Sequence, residues 1–537
     1  MRIERRCQDR TTWREWARRW WPEIGLIAAA AATRLINLGS APYFFSDEAY
    51  AAATTVGLMR TGALVAYFFD LPMLTVLKGI PHYWLMAIAF KLLGVGVWQG
   101  RLVSALFGIG TAVVVYLLAR HLFGRHAGLA ALALYVFSRY ALYIDRSMKL
   151  DAQAAFFALL GLYLFALAWR DCRLALMAGA GTALGMATLS KASACFVSIA
   201  VLAYLVGMWM QSRQHKRCVS ALAVVGLTCA LPMAGWVAYV LGARHQPPYN
   251  VPIIREERFL TWYGEELTRG VSPLSKLPVV PGPRPPPGGL KPLVSGLLRL
   301  FGDLLLRDEV RVIGLIGLLW LARRRRGVSG ILLAVVAGGL VCYTFAGQQA
   351  SRHLHVAYVA TIIAGAALLV RIAGGESGSR RGAVVVIAVG LMCFKGFCFE
   401  SWVDGMNFKP ILEADTPELR AMAWIRQNVP TGRRLYCSVN IGVFSNHDYV
   451  PIQTFLGNPK AAEAFDLEYL AIDRYLAQAI LKGYVEDPAD HFELQKIHEV
   501  AGKRPLERVE IYRILGPRKG AKPVQWYIHR DRSFNFY

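Results

Sequence analysis

Charged residues are scarce in this chain, and acidic residues are scarcer than basic ones. Only 18% of the 537 residues are charged, with 36 acidic residues against 60 basic ones, whereas a typical soluble domain has about 25%. The shortage is local, because long apolar runs without ionisable side chains alternate with short clusters of Arg and Lys. A helix needs about 20 apolar residues to cross the roughly 30 Å bilayer core, where it satisfies its own backbone groups. The sequence therefore predicts a polytopic α-helical membrane protein.

Paired cysteines and nucleic-acid-binding motifs are also lacking. The nine cysteines are scattered and form no CxxC pair, which argues against a disulfide framework and a zinc knuckle. A net charge of +24 can indicate a nucleic-acid partner. Here, however, the basic residues lie at the ends of apolar runs, as in cytoplasmic loops, and no nucleic-acid-binding motif is present. We expect contact with membrane lipids and no nucleic acid.

Twelve apolar segments are candidates for membrane spans. They lie near 22–38, 82–97, 101–121, 127–144, 152–169, 174–190, 194–210, 219–242, 309–322, 329–346, 355–371 and 382–398. The first follows a basic N-terminal stretch and continues as a full span, which is not typical of a cleavable signal peptide.

Counting all twelve segments as spans conflicts with the positive-inside rule. With the basic N-terminus in the cytoplasm, several basic clusters would lie outside. Treating 82–97 as an interfacial helix moves them inside; this segment is short, contains Lys91 and follows Pro81. The relocated clusters are Arg120/His121/Arg125, Arg213/Lys216/Arg217 and Arg323–Arg326. The sequence thus predicts eleven spans in the cell inner membrane, with the N-terminus in the cytoplasm and the C-terminus outside.

The predicted chain has two domains. Residues 1–399 form the transmembrane domain, whose outer loops include 39–100 and the Pro-rich stretch 243–308. Residues 400–537 form a small C-terminal α/β domain on the periplasmic or extracytoplasmic side, because apolar runs end there and short alternating segments begin.

Turn and cap residues outline that C-terminal domain. Thr416 and Pro417 are typical of a helix start, and Pro430 and Gly432 of its end. The predicted strands are Arg434–Val439, Leu467–Ile472 and Val509–Leu515, and Ala477–Leu481 belongs to a second predicted helix.

Five polar clusters lie on the predicted outer side. They are Ser46-Asp47-Glu48-Ala49-Tyr50, Lys78 with Pro81-His82-Tyr83-Trp84, Arg146 with Asp151, Lys191, and Arg352-His353-x-His355. Each has an ordinary structural interpretation when taken alone. A polar helix start can be a cap, Tyr and Trp anchor helices at the interface, and long cations extend from a helix end to water.

Together these clusters favour chemistry on an anionic, membrane-anchored substrate. Three carboxylates (Asp47, Glu48 and Asp151) and four cations (Lys78, Arg146, Lys191 and Arg352) would share one membrane face. Cations can hold a lipid phosphate. A carboxylate can take the proton of an incoming hydroxyl group.

The order of these motifs resembles the GT-C glycosyltransferases, in particular the branch of protein O-mannosyltransferases and the lipid A aminoarabinose transferase (glycosyltransferase families 39 and 83). The family's Asp-Glu pair is matched by Asp47-Glu48, and its Lys-Pro-Pro-x-x-Tyr-Trp-like segment by Lys78–Trp84. Further matches are Gly94 with Arg101, Arg146 with Asp151, Leu189-Ser190-Lys191-Ala192, and Arg352-His353. The resemblance covers roughly residues 25–200. Gly79-Ile80 replaces the double proline, and Tyr50 stands where the aminoarabinose branch has Arg.

The resemblance implies a GT-C fold and a glycosyltransferase that uses a polyprenyl-phosphate sugar. A hexosyl or pentosyl group would pass, with inversion, to a hydroxyl group of a lipid such as lipopolysaccharide, a glycan or a protein of the cell envelope. It implies Asp47 as general base, with Glu48 and Asp151 positioning the acceptor or sugar, or holding a divalent metal ion. Lys78, Arg146, Lys191 and Arg352 would bind the phosphate.

Further roles follow from the same motifs. The resemblance adds Tyr50, Tyr83 and His353 to the substrate-binding residues. His82 and Glu48 are the candidate metal ligands, and the metal ion itself is optional because the donor carries a good leaving group. A transporter or lipid flippase is the alternative function; it should show paired repeats and broken helices near the membrane midplane, and the sequence contains no internal repeat.

Overall fold

A computed structural model gives the conformation of most of the transmembrane domain and much of the C-terminal domain. It describes residues 13–40, 46–62, 64–68, 71–75, 80–171, 173–211, 215–243, 298, 309–324, 329–345, 354–374, 387–393, 417–451, 467–474, 492–502 and 508–518. Several predicted features lie outside these residues. They are Lys78, Arg352, His353, nearly all of the Pro-rich stretch, the helix around Ala477–Leu481 and the domain junction near residue 400.

Helices account for nearly all of the described part of the transmembrane domain. In chain order they are α1 (Trp13–Leu35), α2 (Ser46–Thr61), α3 (Ile80–Leu93), α4 (Val97–Phe123), α5 (Arg125–Val136), α6 (Arg139–Asp145), α7 (Leu150–Asp171), α8 (Leu174–Ser190), α9 (Cys195–Gln211), α10 (His215–Ala243), α11 (Glu309–Arg324), α12 (Gly330–Phe345) and α13 (His355–Ile372). A short hairpin, β1 (Val65–Phe68) with β2 (Leu71–Thr75), follows α2. These helices coincide with the predicted apolar segments, apart from α2, because hydropathy sets where a chain enters a bilayer.

Five helices of the described part are long and apolar enough to cross a membrane, or six if α5 and α6 count as one broken span. The sequence treats 127–144 as one span, but the structure breaks it with a bend of 67°. The hydroxyl of Ser138 accepts a hydrogen bond from the Ala141 backbone N–H and starts a new helix there. The break directs the end of α6 toward α1. The count of eleven spans stays a prediction.

Glycines let several helices approach closely. Gly181 and Gly185 on α8 lie against the backbone of α10, and Gly314 and Gly317 on α11 lie against the backbone of α13. Small residues at such crossings are typical of membrane helix pairs, since no apolar driving force favours association in lipid.

The C-terminal domain contains a five-stranded mixed sheet. Its elements are α14 (Pro417–Asn428), β3 (Leu435–Cys437), α15 (Val439–Gly442), β4 (Tyr449–Pro451), β5 (Tyr469–Asp473), β6 (Phe492–Ala501) and β7 (Arg508–Pro517). The strand order is β4-β3-β5-β7-β6, with β3 parallel to both neighbours and β7 antiparallel to both of its own. The predicted first helix and three strands coincide with α14, β3, β5 and β7. The prediction missed β4, β6 and α15.

Two apolar cores stabilise the part of the molecule that the structure describes. One fills the helix bundle around α4, α5, α7 and α13. The other joins α2, α3 and the N-terminal end of α4 to α14 and the sheet of the C-terminal domain. The α2–α3 segment and the C-terminal domain therefore share a core.

Candidate functional site

The Asp47-Glu48 pair lies in the first turn of α2, which begins at Ser46. The side chain of Asp47 is outside the described part of the structure, whereas Glu48 is buried. Arg101 of α4 donates to both Glu48 oxygens, from Nε to Oε1 and from Nη2 to Oε2, each at 2.9 Å. The backbone N–H of Met148 donates to the same Oε1 at 2.7 Å. Glu48 therefore joins the start of α2 to α4 and to the 145–151 connection.

These bonds define what Glu48 can do. Its oxygens receive at least these three hydrogen bonds from the protein, in an environment closed to solvent. A carboxylate so engaged orients the neighbouring residues and is poorly placed to bind a metal ion.

Arg146 caps a helix in this structure. Its Nη1 donates to the carbonyl oxygen of Thr33 at 2.7 Å, and its Nη2 to those of Ile36 at 2.9 Å and Asn37 at 3.1 Å. Carbonyl groups at a helix C-terminus have no partner within the helix, so a buried guanidinium there satisfies them and complements the helix dipole. The sequence predicts a phosphate ligand, but the structure directs Nη1 and Nη2 of Arg146 to the end of α1.

A buried ionic network that the sequence analysis did not single out lies beside it. Arg34 Nε donates to Asp145 Oδ2 at 2.9 Å, and the Tyr135 hydroxyl donates to the same oxygen at 2.9 Å. Arg34 and Asp145 are fully buried. The sequence does contain a signal for this pair. Arg34 and Asp145 lie at the ends of apolar segments, where ionisable residues usually have a partner.

Asp151 and Lys191 form an ion pair at the edge of a small cleft. Asp151 lies in the first turn of α7, and Lys191 follows α8 before the 3-10 turn Ala192–Ala194. The cleft measures about 10 Å³ and is lined by Asp151, Ala154, Ala155, Lys191, Ser193, Ala194, His355 and Val356. A cavity of about this volume is just large enough to hold one water molecule. A carboxylate, a cation and an imidazole thus share one opening.

His355 extends this group. It begins α13, its ring is buried, and neither ring nitrogen has a hydrogen-bond partner among the described residues. The sequence places His355 in one polar cluster with Arg352 and His353, and the predicted functional residues of that cluster are Arg352 and His353.

On α3, His82 and Tyr83 point into the protein, whereas Trp84 is 56% exposed. This division fits the predicted interfacial helix, since an aromatic residue at the rim can anchor it. Neither nitrogen of His82 has a partner among the described residues. Across that same part of the chain, no group of three His, Cys, Asp or Glu residues could hold a metal ion.

The short connection 145–151 links several of these elements. Its contacts include Asp145 to Arg34, Arg146 to the end of α1, Met148 to Glu48, and Asp151 to Lys191. The structure therefore brings four of the predicted residues (Glu48, Arg146, Asp151 and Lys191) to one end of the bundle. Tyr50 is half-buried one turn into α2.

Part of the chain is similar to a known protein family. Residues 78–236 match the family model described as dolichyl-phosphate-mannose-protein mannosyltransferase. No curated protein sequence matches the chain significantly.

Among solved structures, the chain is similar to ArnT from Cupriavidus metallidurans bound to undecaprenyl phosphate. The two are 15% identical with a TM-score of 0.57, over 92% of this chain and 98% of that one. It is also similar to the oligosaccharyltransferase of Archaeoglobus fulgidus in the apo form, at 15% identity and a TM-score of 0.53, over 89% and 73% of the two chains. The predicted GT-C fold, with a small C-terminal sheet region, is confirmed. The family match and the fold support a multi-pass membrane glycosyltransferase with a lipid-linked donor.

Proposed function

We propose that the protein transfers a sugar from a polyprenyl-phosphate donor to an acceptor hydroxyl group on the outer face of the cytoplasmic membrane. The observation that carries this proposal is the 145–151 connection. It ties the Asp47-bearing helix, through Met148 and Glu48, to the cleft with Asp151 and Lys191. The connection thus links the helix of the base Asp47 to the cation Lys191. A base and a cation held in a defined arrangement suit a reaction at an anionic lipid head group.

The reaction is an inverting substitution. The acceptor oxygen forms a bond to the anomeric carbon while its proton passes to the Asp47 carboxylate. The bond from the anomeric carbon to the phosphate oxygen breaks, and polyprenyl phosphate leaves with the electron pair. Lys191, together with Lys78 and Arg352, balances the negative charge that develops on the phosphate.

Glu48 and Arg146 take positioning roles in this mechanism. Glu48 fixes the first turn of α2 through Arg101 and Met148. Arg146 fixes the end of α1 through three carbonyl oxygens, so the outer loop leaves the membrane at a defined point. Asp151 holds Lys191 at the cleft, and Tyr50 and Tyr83 are proposed to contact the sugar or acceptor.

The proposed orientation has the N-terminus in the cytoplasm and the C-terminal domain in the periplasm. Basic clusters at the opposite ends of the spans support it. The donor sugar is a hexose or pentose, and the acceptor belongs to the cell envelope as a lipid, glycan or protein.

A transfer assay on purified protein in detergent tests the proposal. Radiolabelled polyprenyl-phosphate sugars are added one at a time with a cell-envelope extract, and release of polyprenyl phosphate is followed. We expect one donor to turn over, and Asp47→Asn to abolish transfer. Asp171→Asn, at an exposed pair with Arg173 far along α7, is the matched control and should retain full activity.

Two results would contradict the proposal. Full transfer by Asp47→Asn would exclude Asp47 as the base. No turnover with any donor, although the protein is folded, would instead favour a transporter or lipid flippase, and lipid flux would be measured next.

A further inference from the structure

The C-terminal domain contacts the helix that carries Asp47. Its short helix α15 lies against α2, and the edge strand β4 lies against β1. Ile441 of α15 and the following Phe444 are buried in the same apolar core as α2. The contact thus joins the domain of unassigned role to the first outer loop.

Small side chains of α2 belong to this shared core. Ala49, Ala52 and Ala53 are buried in it. Because alanine projects little beyond the backbone, a partner helix can approach α2 closely, and the spacing depends on the residues that fill the interface.

Tyr449 of β4 packs on α15 from within the C-terminal domain. Its ring lies directly on the Cα of Gly442, since a methyl group at Gly442 would overlap the ring. Tyr449 is buried in the apolar core that also contains residues of α2. The ring therefore supports α15 where α15 lies against α2.

We infer that Gly442 and Tyr449 form a positioning surface that sets the location of α2, and with it Asp47, relative to the bundle. The inference rests on the proposed function, because it gives the C-terminal domain a part in the placement of the base. The helix is then held at two places. The Glu48–Arg101 pair holds the first turn of α2, and the Gly442/Tyr449 surface holds the part of α2 that follows.

The test combines transfer kinetics with hydrogen exchange on the full-length protein in detergent. Gly442→Ala adds one methyl group and displaces the Tyr449 ring or α15. We expect kcat to fall roughly tenfold to a hundredfold, with the donor KM within about twofold because the phosphate-binding cations are untouched. Amides of α2 should exchange faster, whereas β5 and β7 stay protected. The control, Leu515→Ala on β7, alters a 60% exposed residue and should change neither readout.

A pair of variants at Tyr449 covers the case in which Gly442→Ala unfolds the domain. Tyr449→Phe keeps the ring and should retain kcat within a few-fold, whereas Tyr449→Leu should lower kcat and the protection of α2 together. Unchanged exchange of α2 in Tyr449→Leu would overturn the inference. If neither the native protein nor any variant transfers sugar but α2 loses protection in the variants as expected, the positioning surface stands and the proposed reaction fails.

Discussion

Glu48 and Arg101 form a bidentate ion pair that is closed to solvent, with both nitrogen–oxygen distances at 2.9 Å. The pair joins residues 53 positions apart in the chain. In the proposed function, Glu48 therefore has a positioning role, and Asp47 is the general base. This separation of roles has a measurable consequence.

We expect Glu48→Gln to destabilise the protein strongly, because it leaves the Arg101 charge buried without its counter-charge. Loss of one partner from a buried pair costs about 3–5 kcal/mol. Thermal unfolding in detergent measures this as a lower midpoint. The double variant Glu48→Leu with Arg101→Met should be less destabilised than Glu48→Gln alone. An unchanged midpoint in Glu48→Gln would show that the pair does not contribute to stability.

Lys191 should contribute to donor turnover through its charge. Lys191→Met removes that charge from the cleft, and loss of one group that stabilises a developing anion lowers the rate by roughly 10²–10³. Lys191→Arg should retain part of the activity, since a guanidinium also binds phosphate. The kcat/KM for the donor is measured with Lys91→Met, an exposed cation on α3, as control. Equal activity of the Met and Arg variants would argue against a role for this charge.

The contacts of Tyr135 and Asp145 predict a smaller loss of stability for a variant at Tyr135 than for one at Asp145. Tyr135→Phe removes one hydrogen-bond donor to Asp145 and should cost about 1–3 kcal/mol. Asp145→Asn removes the counter-charge of buried Arg34 and should cost more. Unfolding midpoints of the two variants, measured in one detergent, give the order. A larger effect of Tyr135→Phe would mean that the Arg34 charge has another counter-charge.

The sequence predicted the positions of the apolar helices well, because hydropathy determines them locally. It predicted α14 equally well, since Pro417 and Pro430 mark its ends through backbone geometry alone. The break between α5 and α6 was missed because a single cap residue, Ser138, creates it within an apolar run.

The contact partners of a side chain were harder to predict than the positions of the helices along the chain. Arg146 has the side chain of a phosphate ligand, yet its carbonyl partners lie more than 100 positions earlier in the chain, and only the folded bundle brings them together. Strand β6 was missed for a local reason. Its pairing with β7 shifts register at Glu493/Leu494 and at Lys496/His498, which interrupts the period-two alternation that indicates a strand.

Helix packing gives a prediction with a matched control. A methyl group at Gly317 would overlap the carbonyl oxygen of Ala364 on α13, so Gly317→Ala should cost about 1–3 kcal/mol. At Gly207 on α9, a methyl group would meet no described atom within 4 Å. Gly207→Ala should therefore be neutral, or stabilising by up to about 1 kcal/mol through helix propensity. Equal unfolding midpoints for the two variants would contradict the close α11–α13 contact.

Acid should loosen the sheet of the C-terminal domain through Glu510. Burial alone would raise the pKa of this carboxyl group, but hydrogen bonds from Tyr512 and Arg474, with the nearby charges of Arg474 and Lys496, hold it below its ordinary value of 4.5. A carboxyl group with a lowered pKa stabilises the fold above pH 4.5, and this stabilisation is lost as the pH falls through the folded-state pKa.

Hydrogen exchange of β5 and β7 at several pH values, corrected for intrinsic rates, measures the effect. Protection should fall with acid below about pH 4.5 in the native protein. Glu510→Gln should be less protected at neutral pH and should respond less to acid, because the titrating group is gone while its cationic neighbours remain. Glu493→Gln, at an exposed position on β6, should follow the native protein. An acid response in Glu510→Gln as large as the native one would assign the effect to another carboxyl group of the domain.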